Sequence, residues 1–133
     1  MATAPLKTGS VIEQRYRVES LLEQGGLGAV YRCRDLRNEI PVALKLLRSP
    51  IWGEGERALY SEFSILSRLR HPNLIRILDF GRLEGFRGPY IVQEYMEGLD
   101  LFEATAGRPV GQVLEMLAEL CRVVQFLHDR GVV

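Results

Sequence analysis

Val42-Ala43-Leu44-Lys45-Leu46-Leu47 places one cation in the middle of an aliphatic run, and the reading of the whole chain turns on it. Together with Ile40, and with Pro41 at its front, the run has the aliphatic and β-branched character of a strand. Lys7 and Lys45 are the only lysines among 17 basic residues, so Lys45 is not one of a scattered surface set. An ammonium drawn into apolar surroundings needs a negative partner. The bland alternative is a lysine that snorkels from a sheet edge.

Towards the N-terminus, Tyr16-Arg17-Val18-Glu19-Ser20-Leu21-Leu22 alternates over its first half. Ala29-Val30-Tyr31-Arg32-Cys33-Arg34 alternates again after a glycine-rich turn, which predicts a hairpin. Residues 1–14 are small and polar with a Gly9-Ser10 turn signal and are expected to form an extended lead-in. Towards the C-terminus, Leu59, Phe63, Leu66 and Leu69 keep helical spacing, predicting a helix from about Glu56 to Arg70 that His71-Pro72-Asn73 ends. Ile75 to Phe80 and Tyr90 to Gln93 read as a second hairpin. After Gly98 come a short helix near Leu101 to Ala104 and a long one carrying Val110, Val113, Leu114, Leu117, Cys121, Val124 and Leu127. The expected class is α+β: a five-stranded antiparallel sheet with one helix on it, followed by two more helices.

Composition narrows the function classes. At 133 residues, with 47% hydrophobic and 26% charged content, one compact domain is expected. The 17 basic and 17 acidic residues cancel, so no field favours nucleic acid or an anionic membrane. Cys33 and Cys121 lack redox or zinc spacing and read as packing residues, so no metal site is expected. No apolar run is long enough to span a bilayer, and a cytoplasmic setting is expected.

Gln24-Gly25-Gly26-Leu27-Gly28-Ala29-Val30 has glycines where a strand must turn back, and bare backbone N–H groups there can approach phosphate. Taken alone, the cluster is equally an ordinary hairpin turn. A Walker A loop is excluded because Ala29 and Val30, not Lys and Ser/Thr, follow Gly28. A dinucleotide loop is excluded because a strand, not a helix, follows. Glu62 lies three residues after Leu59 and four before Leu66, which assigns it to the buried face of its helix; the alternative is an acid tilted outward. A strand lysine facing a helix glutamate makes an ion pair that holds the ammonium against phosphate oxygens, and Ala43 on the same strand face leaves room for a flat base.

From Arg15 to Val133 these features resemble the start of a protein kinase, especially the bacterial Ser/Thr kinases of eukaryotic type. Leu22 to Tyr31 resembles the family's glycine-rich loop, Val42-Ala43-Leu44-Lys45 its V-A-I-K strand, Glu62 its helix glutamate, and His71-Pro72-Asn73 its post-helix turn. The resemblance implies an ATP site built from Leu22, Gly25, Gly26, Gly28, Val30, Ala43 and Lys45. Gln93 takes the gatekeeper position, and backbone groups of Glu94 and Met96 meet the adenine edge. It further implies a lead-in over 1–14, an N-lobe over 15–93, a hinge over 94–99, and the first helices of an unfinished second lobe over 100–133. The family's acceptor-hydroxyl aspartate and its two magnesium ligands are not matched by any residue here. Mg2+ and the protein substrate therefore belong to the complete domain, and the chain alone is expected to be inactive. The alternative is a non-catalytic nucleotide-binding or scaffolding module, and a ligand-free α+β interaction domain leaves Lys45 and Glu62 unexplained.

Three local readings complete the resemblance. Asp79-Phe80-Gly81 spells the family's magnesium triplet but precedes the hinge, so it is expected to be the fourth strand and its turn. His128-Asp129-Arg130 is expected to close a helix and not to form a catalytic loop. Glu23 stands where the family's first glycine is expected and brings a negative charge towards the phosphates.

Overall fold

The computed structural model describes residues 6–26, 28–48, 55–83, 85–86 and 88–132; Leu27 of the glycine loop, the first five residues of the lead-in and Val133 lie outside them. The chain forms two compact units. One runs to Leu69 and resumes over Arg76–Met96; the other comprises Arg70–Ile75 and the chain from Glu97 onward.

The first unit is a six-stranded antiparallel sheet in the order β1-β2-β3-β4-β6-β5. Its strands are β1 (Val11–Ile12), β2 (Tyr16–Gly25), β3 (Gly28–Asp35), β4 (Ile40–Leu47), β5 (Ile77–Arg82) and β6 (Pro89–Glu94). Five strands were expected, and the sixth comes from the lead-in. Glu13 and Gln14 take the left-handed backbone, at φ 50° and 53°, and turn the chain so that Val11 pairs with Arg17 and Ile12 with Tyr16. Ile12 thereby becomes buried. A two-residue pairing is too short to show alternation, so periodicity could not reveal it.

Side-chain alternation sorts the sheet into two faces. Tyr31, Leu44 and Val92 lie opposite one another across β3, β4 and β6, and all three are buried. Val30, Lys45, Ile91 and Phe80 form the neighbouring row on the other face. The first face is packed by the sheet curling on itself. Ile12, Tyr16 and Val18 join Tyr90 and Val92 in one cluster, although β3 and β4 lie between β2 and β6. Burying each such aliphatic or aromatic side chain stabilises the fold by about 1.5–3 kcal/mol.

A polar latch holds the curl. The Tyr16 hydroxyl on β2 donates to Asp79 Oδ2 on β5 at 2.6 Å. The Arg15 guanidinium lies 3.7 Å from that same oxygen and grips Asp35 in a bidentate pair at 3.0 and 2.7 Å. Asp35, 1% exposed, also accepts from the Arg37 amide at 2.9 Å and from Asn38 Nδ2 at 2.8 Å, so its lone pairs are satisfied by the turn it begins. Asp79-Phe80-Gly81 is therefore strand, as its place in the chain implied. The expected strand end at Phe80 moves to Arg82, with Gly81 inside it: a Cβ at Gly81 would meet the Tyr90 ring at 2.7–2.9 Å.

Helix α1 (Gly55–Leu66) is shorter than expected; after it, Arg68 and Leu69 bond to Ile65 and Leu66, the tightened i to i−3 pattern of a helix end. It packs through Phe63, which is buried, and Tyr60, each with its ring centroid 5.7 Å from that of Phe80 on β5. The anchor is thus over the outer strand of the row that contains Lys45.

In the second unit, α2 (Leu101–Thr105) is capped by Asp100, whose carboxylate accepts from the Glu103 amide at 2.8 Å. Helix α3 (Val110–His128) follows Pro109. The sequence reading kept residues 70–75 with the sheet; here they stand with α3, where Asn73 Nδ2 donates to Glu119 at 3.0 Å and His71 packs on Phe126. His128 ends α3, and Gly131, at φ 73°, turns the chain so that the Val132 amide bonds the Leu127 carbonyl. Among the described residues no helix is long and apolar enough to cross a membrane.

The latch sets the pH range of stability. Hydrogen bonds from Arg15, then from Arg37 and Asn38, hold the Asp35 carboxyl well below the usual carboxylate range against the opposing effect of burial. Burial, then the bond to Asp79, pushes the Tyr16 phenol well above its usual value. A depressed carboxyl stabilises above its unfolded value of about 4, and a raised phenol stabilises below its unfolded value of about 10. Urea unfolding across pH is expected to show a stability plateau between those limits, falling as pH drops below about 4 and again as it climbs above about 10. Asp35→Asn is expected to lower stability at pH 7 by about 3–5 kcal/mol and to flatten the acid limb.

Candidate nucleotide site

The hairpin between β2 and β3 closes with Gly25 opposite Gly28. Under it lies a cavity of about 210 Å³ lined by Glu23, Gly25, Gly26, Gly28, Ala29, Val30 and Lys45. Three glycines meet there for different reasons. Gly28 has φ 145°, and a Cβ on it would lie 1.8 Å from the Leu46 carbonyl oxygen, so the approach of β3 to β4 demands glycine. Gly25 and Gly26 adopt no left-handed backbone, and no described residue lies within 4 Å of where a Cβ on either would stand. Among the described residues neither backbone conformation nor packing asks for glycine at these two positions, and the bare backbone there is open to close approach.

Lys45 was expected to be buried, and it is exposed. Strand alternation points it away from the packed face, where Leu44 and Leu46 are buried on either side, and towards the cavity. Glu62 was expected on the buried side of α1 and is likewise exposed, because Phe63, one residue on, is the anchor. Lys45 and Glu62 form no ion pair: α1 rests over β5, and β6 separates β5 from β4.

The other predicted residues fall into a second row. Arg32, Ala43, Gln93 and Ile77 lie opposite one another across β3, β4, β6 and β5, two residues along from the row of Lys45. Ala43 is buried and Gln93 is half-buried. Glu94 ends β6 with its amide on the Arg76 carbonyl and its carboxylate accepting from the Arg76 amide at 3.0 Å, while Met96 stands beyond the strand, exposed. Leu22 is exposed at a bulge, since Leu21 pairs with Tyr31 and Glu23 already with Val30. The cavity thus brings together Gly25, Gly26, Gly28, Val30 and Lys45, while Leu22, Ala43, Gln93, Glu94 and Met96 are not among its lining residues.

Arg32 was not singled out from the sequence. Its guanidinium lies 3.5 Å from Glu19 and 5.1 Å from the centre of the Tyr95 ring, and its Nε is buried without a hydrogen-bond partner. The available signal was its two-residue spacing from Val30. Cys33 is fully buried, and burial pushes its thiol up to about 12, in keeping with a packing role; Cys121 is exposed on α3, which the sequence reading did not expect.

The protein kinase domain family matches residues 16–133. The chain belongs to the protein kinase family. Among relatives, a serine/threonine-protein kinase of Myxococcus xanthus, pkn3, is 35% identical over 131 residues, covering 94% of this chain and 24% of that protein. A probable serine/threonine-protein kinase of Bacillus subtilis, YbdM, is 30% identical over 132 residues, covering 95% and 51%. In three dimensions the kinase domain of Mycobacterium tuberculosis PknI superposes with a TM-score of 0.80 at 27% identity, covering 96% of this chain and 52% of that one. The chain thus has a protein-kinase-like fold and spans between about a fifth and about half of the proteins it matches.

The glycines allow a direct check. Gly28→Ala is expected to destabilise the kinase chain by more than about 2 kcal/mol, whereas Gly26→Ala is expected to stay within about 1 kcal/mol of the parent, both read by thermal unfolding.

Proposed function

We propose that this chain provides the ATP site of a Ser/Thr protein kinase. The observation that carries the reading is the cavity itself: a strand lysine lining it together with two glycines that neither a left-handed backbone nor a contact among the described residues explains. Backbone N–H groups at Gly25 and Gly26 approach the phosphates, and the Lys45 ammonium neutralises them. Val30 and Ala43 lie against the base, Gln93 closes its inner side, and the Glu94 carbonyl and Met96 backbone meet its edge, with Leu22 at the rim. Apart from the Glu23 carboxylate, the residues present suit a nucleoside triphosphate: open backbone, one cation and small apolar side chains.

Glu62 joins the site when α1 moves from β5 towards β4, a span of two strand spacings or about 9–10 Å. Paired with Glu62, Lys45 is held in one orientation for the phosphates. Mg2+, bound with the complete domain, supplies charge neutralisation on the phosphates. In that domain the γ-phosphoryl group of ATP passes to a serine or threonine hydroxyl of a protein; the acceptor-hydroxyl aspartate and magnesium ligands have no counterpart among these 133 residues. The chain alone is accordingly inactive in this reading, and a cytoplasmic setting suits its two free cysteines.

A second reading, a non-catalytic nucleotide-binding or scaffolding module, would call for α3 to be covered. The helix instead exposes Leu117 at 39%, Leu120 at 47% and Val124 at 40%, a stripe that suits further kinase structure over it.

Saturating ATP is expected to stabilise the chain by about 2.7 kcal/mol at a hundredfold excess over Kd, seen as a rise in unfolding temperature, and Lys45→Met is expected to remove most of that rise. An unfolding temperature indifferent to ATP, together with a Lys45→Met variant identical to the parent, would sink the proposal.

A further inference from the structure

The cross-strand row that contains Lys45 is longer than nucleotide binding requires. Glu23 on β2 pairs with Val30 on β3, Val30 with Lys45 on β4, Lys45 with Ile91 on β6, and Ile91 with Phe80 on β5. Lys45 is the centre of this row. Phe80, which carries α1 and hence Glu62, lies two strands to one side, and Glu23 lies two strands to the other. Opposed residues share a sheet face, so the Glu23 and Lys45 side chains project to the same side with only the shorter Val30 between them. Among the described residues they are the only charged side chains lining the cavity. Among the described residues neither has a side-chain hydrogen bond or ion pair, and the two stand farther apart than the 4 Å of an ion pair.

The position of Glu23 follows from the bulge at Leu22. Across that bulge two residues of β2 stand against one of β3, so the pairing skips Leu22 and Glu23 falls opposite Val30. Without the extra residue the acid would turn to the other face. The carboxylate is thereby delivered to the cavity by backbone geometry.

We propose that Glu23 is a specificity-determining residue of this cavity: its exposed side chain swings across Val30 to become the counter-ion of Lys45 when no nucleotide is bound, and a ligand's phosphates must displace it. The inference rests on the nucleotide reading above and adds a consequence to it. Each phosphate that enters gains the ammonium but breaks the Glu23 pair and meets its negative charge, so the site discriminates against free polyphosphate. The base-contacting part of the site is untouched. Lys45 has two acids to choose between, Glu23 across Val30 and Glu62 on α1, and displacement of the first by phosphate frees the ammonium for the second.

The test has two readouts on the full chain. Calorimetric titration without divalent metal compares ATP with adenosine. Glu23→Gln, isosteric and at an exposed position, is expected to tighten ATP by about three- to tenfold and to leave adenosine unchanged. Equal effects on both ligands, or none on either, would overturn the inference. Because Lys7 and Lys45 are the only lysines, 13C-lysine labelling yields two sets of side-chain signals. Those of Lys45 are expected to shift in nucleotide-free Glu23→Gln while those of Lys7 stay in place; a Lys45 signal that does not move overturns the pairing. Should the parent and Glu23→Gln bind neither adenosine nor ATP, the nucleotide reading is what has failed, and the lysine spectrum still decides whether Glu23 and Lys45 pair.

Discussion

Asp79 accepting from Tyr16 and facing Arg15, with Arg15 clamped on Asp35, is the interaction on which the first unit depends. Two strands separated by three others in the sheet order are brought to hydrogen-bonding distance by it. Only when β2 curls onto β5 do Ile12, Tyr16 and Val18 find the apolar surface of β4 and β6 to cover. Charges at such a place are costly unless fully paired. Asp35 meets that condition with Arg15, Arg37 and Asn38, so the ion pair sits at the edge of the core without an unsatisfied carboxylate.

The curl has a consequence for the opposite face. As one side of β3, β4 and β6 is filled with Tyr31, Leu44, Leu46 and Val92, alternation sends Val30, Ala43 and Lys45 to the other. Register is held at one end by Gly28 against the Leu46 carbonyl and at the other by the Asp35 turn. A slip by one residue would exchange the faces and bury the ammonium. The glycines therefore divide their work: Gly28 secures register, while Gly25 and Gly26 leave the backbone open above Lys45.

Much of the fold was legible in local pattern. Strands β2 and β3 alternate over enough residues to be recognised, β4 shows as an aliphatic run, and the glycine turn between the first two is marked by composition. Asp79-Phe80-Gly81 could be set aside as a metal triplet from its order in the chain, although the reason for its residues could not be read: Asp79 serves the latch, and Gly81 makes room for the Tyr90 ring. Strand β1 was invisible because its pairing depends on a turn made of Glu13 and Gln14, residues with no glycine signature. Lys45 and Glu62 were assigned to buried surroundings from their apolar neighbours. A central strand has one packed and one open face, and a helix rotates by about 100° per residue, so the neighbour and not the residue itself can be the buried one.

From sequence alone came the residue types, their spacing and their order: a lone strand lysine, a glycine loop that opens into a strand, a helix glutamate downstream, and a family resemblance built on all three. These are properties of neighbours along the chain, and short-range sterics and periodicity are enough to express them. What only the tertiary structure decided is who faces whom. The curl that makes Asp79 a latch, the bulge that turns Glu23 to the cavity, and the seat of α1 over Phe80 that keeps Glu62 from Lys45 all come from contacts between residues far apart in the chain. Such contacts are set by cross-strand register and by the packing of one element on another, to which local pattern carries no signal.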